Sequence, residues 1–294
     1  MSAEFAIDLL TALWLGFTGA CIGSFLNVVA YRLPRGMSVV WKPSHCPHCS
    51  HPIRARDNVP VLGWLLLSGK CRDCGGPISP RYAIVEAVMG AAFFVLAYVE
   101  LFSGGANLPG GPITELFGAV EIVWNPQWEV IGVYLSHCLL LSLLMCVVLC
   151  NRDGEAMPKS LVAFGFVAAG VFAATFPRLH LTLLTPDTVL GALGDCALGT
   201  LVGVTLGGLA GRLAYRAKIG CDSFTPCNLY RGSCLVGVFL GWRALIALSA
   251  LILVVWIIRL RNRFSCNPYA VDALIYLAFL EIVFWGKVSR VLLS

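Results

Sequence analysis

The sequence predicts an all-α membrane protein that crosses the bilayer several times. Of its 294 residues, 58% are hydrophobic and only 13% are charged. Soluble domains carry about 25% charged residues, so much of this apolar surface is expected to face lipid. Two further observations support this class: the apolar residues form long runs, and one long polar segment contains two Cys-x-x-Cys pairs.

Seven apolar runs have the length expected of membrane-crossing helices, or nearly so. A crossing helix needs about 20 apolar residues, because each residue advances about 1.5 Å through a hydrocarbon core about 30 Å thick. The run 232–258 is interrupted by Gly241, Trp242 and Arg243, so it predicts either one tilted span or two short ones. The runs lie at 9–31, 83–103, 129–150, 159–176, 188–211, 232–258 and 269–286.

The distribution of positive charge decides between one crossing and two. Segment 32–82 contains eight Lys and Arg residues, whereas 104–128 contains none. Cytosolic loops of membrane proteins carry the excess of Lys and Arg. If 232–258 crosses twice, the three arginines of 259–263 return to the same side as 32–82. The sequence therefore predicts about eight spans, with both ends of the chain outside the cytosol and the long polar segment in the cytosol.

The polar segment contains four cysteines in two Cys-x-x-Cys pairs, which lie on either side of a 21-residue stretch. Each pair can place two thiolates on one ion from a tight turn, and two pairs complete a tetrahedron around zinc. In the reducing cytosol such pairs are metal ligands rather than a disulfide. Four thiolates leave no open position for catalysis, so we predict a structural zinc ion, with three neighbouring histidines as alternative ligands. The predicted ligands are Cys46, Cys49, Cys71 and Cys74, and the histidines are His45, His48 and His51.

The remaining cysteines indicate packing rather than chemistry. Four of them lie in apolar runs, where a thiol is a small core residue. Three more, in a predicted cytosolic loop, have spacings unlike standard metal sites, so a second zinc site is the weaker alternative. No alternation of basic and aromatic residues suggests nucleic acid. The first group is Cys138, Cys146, Cys150 and Cys196, and the second is Cys221, Cys227 and Cys234.

Small residues predict where spans pack closely. Gly19 and Gly23, four residues apart, and the glycine-rich run 203–211 form small-residue faces of the kind that let membrane helices approach each other. Asp195 and Glu281 lie in apolar runs. We interpret these two acids as hydrogen-bonded packing groups rather than as catalytic residues.

The residues around the cysteines resemble those of one known family. The chain resembles the N-terminal half of bacterial type IV prepilin peptidases, which are bifunctional leader peptidases and N-methyltransferases. The resemblance is dense over residues 19–90. It is carried by GSFLNVVAYRLP at 23–34, SHCPHC at 44–49, DNVPVLGW at 57–64, GKCRDC at 69–74, ISPRY at 78–82 and Glu86.

This resemblance implies a multi-pass enzyme of the bacterial inner membrane. It implies cleavage of the basic leader of type IV prepilins or pseudopilins, and N-methylation of the new N-terminus with S-adenosylmethionine. Type IV pilus or type II secretion machinery would be its partners, beside the lipid bilayer. We expect an N-terminal domain, 1–103, with two spans and the zinc loop, and a membrane-embedded aspartic-peptidase-like domain, 104–294.

The resemblance also implies two catalytic aspartates, and here the second half of the chain departs from the family. Two neighbouring carboxyls, one protonated and one ionised, activate a water between them. The family's first aspartate lies seven residues before a proline, and the residue seven before Pro158 is Asn151. The nearest acid is Asp153. The second aspartate ends a Gly-x-Gly-Asp motif whose closest counterpart ends at Asp222, whereas alignment on the downstream Gly-Trp pair places Leu229 there.

Three functions therefore remain open at the level of sequence. The chain is an active membrane aspartic peptidase in which Asp153 and Asp222 form a relocated pair. Alternatively, it is a non-catalytic relative that binds pilin-like leaders or assembles with a secretion platform. The third alternative is a methyltransferase that has lost proteolysis.

Overall fold

The structure, a computed structural model, describes residues 3–41, 44–108, 111–177, 188–216, 226–261 and 272–293. Throughout these residues the regular structure is helical, and the only β pairing is two isolated bridges in the loop after the first helix. This confirms the predicted all-α fold. The helices are α1 (Ala3–Arg32), α2 (Leu62–Leu66), α3 (Pro80–Leu96), α4 (Ala119–Trp124), α5 (Trp128–Arg152), α6 (Lys159–Thr175), α7 (Val189–Arg216), α8 (Pro226–Arg261) and α9 (Asp272–Leu293).

Five described helices are long and apolar enough to cross a membrane, and the 17-residue α6 is a shorter apolar helix. A π-helical turn, Ala97–Leu101, extends α3 to the length of a span. The multi-pass architecture therefore agrees with the sequence, while the count of eight spans stays a prediction. The five helices are Ala3–Arg35, Pro80–Leu101, Trp128–Arg152, Val189–Arg212 and Cys227–Ile246.

Helix α8 is broken at Gly241, inside the apolar run that the charge pattern divides in two. Gly241 has φ 82° and ψ 173°, a backbone conformation that favours glycine. A Cβ atom at this position would lie 2.2 Å from Asp195 Oδ2. Both the backbone and the neighbouring carboxylate therefore require glycine here, and the break falls where the predicted turn between two short spans lies.

Helices α1 and α3 pack along the small-residue face that the sequence indicated. A Cβ atom at Gly19 would lie 2.6 Å from Phe93 Cγ, and one at Gly23 would lie 3.0 Å from the Cα atom of Glu86. Distances below about 3 Å leave no room for a methyl group, so both glycines set the spacing of the two helices.

Helices α7 and α8 cross even more closely. A Cβ atom at Gly199 would lie 1.9 Å from the carbonyl oxygen of Gly237, and one at Gly203 would lie 2.7 Å from that of Ser233. The predicted glycine-rich face of 203–211 therefore does pack against a helix, and the contact extends beyond it to Gly199.

Helix α5 lies at the centre of the bundle and positions the residues discussed below. Nineteen of its 25 residues are buried, and it contacts α1, α3, α6, α8 and α9. Inside the bundle, His137 Nδ1 lies 2.6 Å from Glu100 Oε1, and Asn107 Nδ2 donates to Ile282 O at 2.8 Å. Ionisable groups buried in membrane proteins pair with polar partners, and this cluster joins α5 to the end of α3 and to α9.

Candidate functional site

The two Cys-x-x-Cys pairs form turns with the same backbone design. The N–H of Ser50 donates to Cys46 O at 2.8 Å, and the N–H of Gly75 donates to Cys71 O at 2.9 Å. Ser50 and Gly75 both adopt left-handed backbone conformations, with φ of 60° and 69°. Each turn is closed by an isolated bridge, His45 with Pro52 and Lys70 with Pro77.

The two turns bring all four sulfur atoms within 4.8 Å of one another. Cys46 Sγ lies 3.8 Å from Cys74 Sγ, and Cys49 Sγ lies 4.0 Å from Cys71 Sγ. Sulfurs bound tetrahedrally to zinc at about 2.3 Å are about 3.8 Å apart, so this spacing fits the ion. The neighbouring histidines are not part of the set, and in the described part of the chain no other group of metal-ligating side chains converges in this way.

The protonation of the thiols also fits a metal centre. Backbone N–H groups of Cys49 and His48 lower the pKa of Cys46 to about 6. The N–H of His51 lowers the pKa of Cys49, but burial and the three neighbouring thiols outweigh it and raise that pKa to about 12. One thiol therefore ionises readily while another keeps its proton, and a bound cation favours the thiolate form of all four.

Two ion pairs brace the second turn against the stretch between the turns. Arg72 donates to both carboxylate oxygens of Asp57, at 2.8 and 2.6 Å, and Arg54 donates to Asp73 at 3.0 Å. The Arg72 guanidinium lowers the pKa of the Asp57 carboxyl. Because Arg72 and Asp73 are the two residues between Cys71 and Cys74, these contacts help to hold the cysteines in place.

We call residues 44–78, which contain both cysteine turns, the cysteine loop. The structure places Asp153 directly after the last residue of α5, at the end of the bundle next to this loop. We call this end the loop end. Both carboxylate oxygens of Asp153 pair with Arg81 from the first turn of α3, through Nη1 and, at 3.0 Å, through Nη2. Asp222, the second predicted carboxylate, lies outside the described residues. Whether Asp153 and Asp222 meet therefore stays a prediction.

Two residues at positions that the resemblance implies for the aspartates, Asn151 and, in one of the two placements, Leu229, are buried and carry no carboxyl group. Asn151 is fully buried in the last turn of α5, and Leu229 is buried in the first turn of α8. A side-chain amide does not ionise near neutral pH, and a leucine side chain has no polar atom. Neither residue can serve as a catalytic carboxylate, so Asp153 and Asp222 stay the predicted pair.

Arginines face the acids that lie at the loop end. These pairs link residues far apart in the sequence. They join the starts of α3 and α9, the end of α5, the turn after α1 and the segment after α5. One member, Asp272, is nearly fully buried at the start of α9. The pairs are Arg81 with Asp153, Arg35 with Glu155 at 3.4 Å, and Arg152 with Asp272 at 2.6 Å.

Asn228 is a residue of this region that the sequence did not reveal. Its side chain is fully buried, accepts from the N–H of Met157 at 2.9 Å and donates to Glu155 O at 2.8 Å. Arg231, one turn later, donates to Met157 O. The start of α8 therefore holds the segment after Asp153 in place. An asparagine at the edge of an apolar run was the only signal, and such residues are common.

The fold and the cysteine cluster define a multi-pass helical membrane protein with four thiols placed so that they could hold one metal ion. Residues 17–100 match the family described as Bacterial Peptidase A24 N-terminal domain. A prepilin leader peptidase/N-methyltransferase of Klebsiella pneumoniae is 34% identical over 204 residues, which cover 66% of this chain and 86% of that protein. No solved structure matches the chain.

Two further relatives carry the same name. That of Myxococcus xanthus (strain DK1622) is 32% identical over 238 residues, which cover 81% of this chain but only 58% of the relative. That of Aeromonas hydrophila is 28% identical over 308 residues and covers 93% of this chain and 92% of the relative. The chain belongs to the family of bacterial prepilin leader peptidases/N-methyltransferases.

Proposed function

We propose that this chain is a membrane aspartic endopeptidase of the bacterial inner membrane that removes the leader of type IV prepilins or pseudopilins. The supporting observation is family membership, with 34% identity over most of the Klebsiella pneumoniae relative. The names of the relatives also support N-methylation of the new N-terminus with S-adenosylmethionine. Pilus or secretion machinery would then receive the product.

In this proposal Asp153 and Asp222 supply the two carboxylates. One takes a proton from water while the other gives a proton to the leaving amine, which requires one ionised and one protonated carboxyl. Asp153 is partly exposed at the loop end, and its pair with Arg81 orients it. Asn151, two residues earlier, would be a hydrogen-bonding neighbour of the reacting water.

The four cysteines would hold a structural zinc ion. With Cys46, Cys49, Cys71 and Cys74 as ligands, the ion has no open position for substrate or water. When bound, zinc supplies a fold constraint that holds the two turns together. The chemistry of cleavage is then left to the carboxylates.

A second candidate function is that of a non-catalytic relative that binds leaders or assembles with the secretion platform. It is favoured by Asn151 at the first position that the resemblance implies, by Leu229 in one of the two placements of the second, and by the engagement of both oxygens of Asp153 with Arg81. A methyltransferase without proteolysis is the related alternative, since the match over residues 17–100 does not include the carboxylate positions.

One assay separates these functions. The full chain in membranes is incubated with a type IV prepilin and S-adenosylmethionine. Gel migration reports loss of the leader, and mass spectrometry reports the added methyl group. We expect cleavage by the wild type and loss of cleavage in both Asp153→Asn and Asp222→Asn, because a single acid cannot fill both roles. Glu121→Gln, half-buried in α4, is the matched control and retains cleavage.

Each other result has a defined meaning. Normal cleavage by both aspartate variants contradicts the assignment of the acid pair. An inert wild type that gains cleavage through Asn151→Asp identifies a lapsed protease, in which the family position itself was lost. Methylation of a pre-cleaved pilin by a chain that never cuts identifies the methyltransferase alternative.

A further inference from the structure

Residues 59–69 form an apolar stretch inside an otherwise charged loop. Their sequence, VPVLGWLLLSG, contains no charged residue, whereas 32–82 as a whole contains eight Lys and Arg residues. Helix α2 lies within this stretch and exposes three leucines, here called the leucine face: Leu62 is 54% exposed, Leu65 55% and Leu66 79%. Large apolar side chains clustered on a surface mark a contact with a partner or with lipid.

A hydrogen bond fixes the depth of this stretch against a membrane span. The N–H of Val61 donates to Glu86 Oε2 at 2.7 Å. Glu86 lies six residues after Pro80, the first residue of α3, which corresponds to about 9 Å along the helix axis. The span Pro80–Leu101 has 22 residues, about 33 Å, which is close to the hydrocarbon thickness of about 30 Å. The start of α2 is therefore level with the membrane-crossing part of α3.

The other end of the stretch returns to the level at which α3 begins. The N–H of Ile78, two residues before Pro80, donates to Gly69 O at 2.7 Å, and Trp64 Nε1 donates to Ile78 O at 3.0 Å. Val61 and Ser68 have positive φ values of 62° and 50°, so the backbone turns sharply on both sides of α2. The chain thus descends beside α3 and comes back.

We propose that residues 59–69 dip into the bilayer leaflet next to the loop end, with the leucine face in contact with lipid acyl chains. Ile84 of α3, 57% exposed, is a further large apolar side chain near this end of the span. Arg56 and Lys70 flank the stretch and are exposed, which suits contact with phospholipid phosphates at the membrane surface. The cysteine loop then contacts lipid directly, in addition to being connected to the membrane helices α1 and α3.

The depth of the stretch favours lipid over a protein partner. A soluble partner cannot reach a surface level with the hydrocarbon region, and acyl chains already occupy the space around an exposed span. Short apolar elements with positive flanks lie at this depth in membrane-surface proteins. The inference does not depend on whether the chain cleaves prepilins, so its test uses lipid contact rather than activity.

The test places a photo-reactive benzophenone amino acid at Leu66 of the full chain, with Ile53 as the matched control position. Ile53 is also an exposed apolar residue of the cysteine loop, at 41%, but lies beside the first cysteine turn. The protein is reconstituted in vesicles of phosphatidylethanolamine and phosphatidylglycerol and irradiated. We expect mass spectrometry to show phospholipid adducts several-fold more abundant at position 66 than at position 53.

A probe at Leu62, on the same face, provides a second position and is expected to form lipid adducts too. Equal lipid labelling at positions 53 and 66 would overturn the proposal, because the whole loop would then be touching the membrane. Crosslinks from position 66 only to protein would also overturn it and would identify a docking surface for a second chain. The proposal is also overturned if neither Leu62 nor Leu66 yields a lipid adduct.

Discussion

At the scale of single residues, the cysteine centre depends on backbone donors as much as on sulfur. The N–H groups of Cys49 and His48 point at the sulfur of Cys46, and they favour its thiolate. Because these N–H groups belong to the turn itself, Cys46 forms a thiolate more readily than an ordinary cysteine even before an ion binds. Burial and neighbouring thiols raise the pKa of Cys49 and Cys74, so a bound cation is expected to favour their thiolate forms.

The first prediction concerns zinc content. In Cys71→Ser, a four-thiolate set loses one ligand, and we expect bound zinc to fall from one ion per chain to well below half after purification, because binding and local folding are coupled. Inductively coupled plasma mass spectrometry measures the ratio. Cys21→Ser, which alters an exposed cysteine of α1, is the control and retains zinc. Full zinc content in Cys71→Ser would rule out the four-thiolate set.

The sequence predicted the cysteine cluster but not the residues that contact the acids. The spacing of the cysteines indicated all four members of the cluster, because both turns are local. Arg81, in contrast, is 72 residues from its partner Asp153, and Asn228 is 71 residues from Met157. Contacts of this range depend on how the helices pack, and no local pattern in the sequence encodes them.

The second prediction concerns Asn228. In Asn228→Ala the N–H of Met157 and the carbonyl of Glu155 lose their amide partner in a buried place, at a cost of about 1–3 kcal/mol each. We expect a lower thermal unfolding temperature in detergent. Asn125→Ala is the control, since this exposed side chain, just after the end of α4, donates to Glu121 one turn earlier. An unfolding temperature equal to that of the control would show that water replaces the lost partner.

At the scale of helices, glycines decide how closely the spans approach. The sequence predicted the faces at Gly19, Gly23 and 203–211 from the spacing of small residues, and these faces do pack. The predicted second face began at Gly203, although Gly199 lies four residues earlier and continues the same spacing. Its importance comes from Gly237 on the opposite helix.

The third prediction tests this crossing. In Gly199→Ala the added methyl group overlaps the carbonyl oxygen of Gly237, so α7 and α8 must separate, at a cost of about 1–3 kcal/mol. Denaturant unfolding in micelles measures the loss. Gly194→Ala lies on the same helix with open space around the new methyl group, and we expect it to be neutral. Equal stability of both variants would mean that the helices separate without cost.

At the scale of the whole molecule, ion pairs at the loop end connect elements that the sequence separates widely. Arg81 joins α3 to the end of α5, and Arg152 joins α5 to the start of α9. Composition and run length were enough to predict a helical bundle in a membrane. The number of crossings and the division at residue 103 stay predictions, because they depend on which side of the bilayer each connection occupies.

The fourth prediction concerns that arrangement. Arg56→Cys and Arg261→Cys are expected to react with a membrane-impermeant maleimide from the same side, the cytosol, because positive residues are retained there. Glu121→Cys lies in segment 104–128, which contains no Lys or Arg, and is expected to react from the opposite side. Peptide mapping by mass spectrometry separates the new cysteines from the thirteen native ones. Labelling of Arg56→Cys and Arg261→Cys from opposite sides would reject two crossings in 232–258.

The two cysteine turns also repeat one backbone unit. The bridged segment His45–Pro52 recurs 25 residues later as Lys70–Pro77, with the same hydrogen bonds and the same left-handed residue before the bridge closes. The cluster is thus built from two copies of one eight-residue backbone unit, each of which contributes two of the four sulfur atoms. Ser50 stands where the second unit has Gly75, so the first unit places a residue with a side chain in a left-handed backbone conformation that favours glycine.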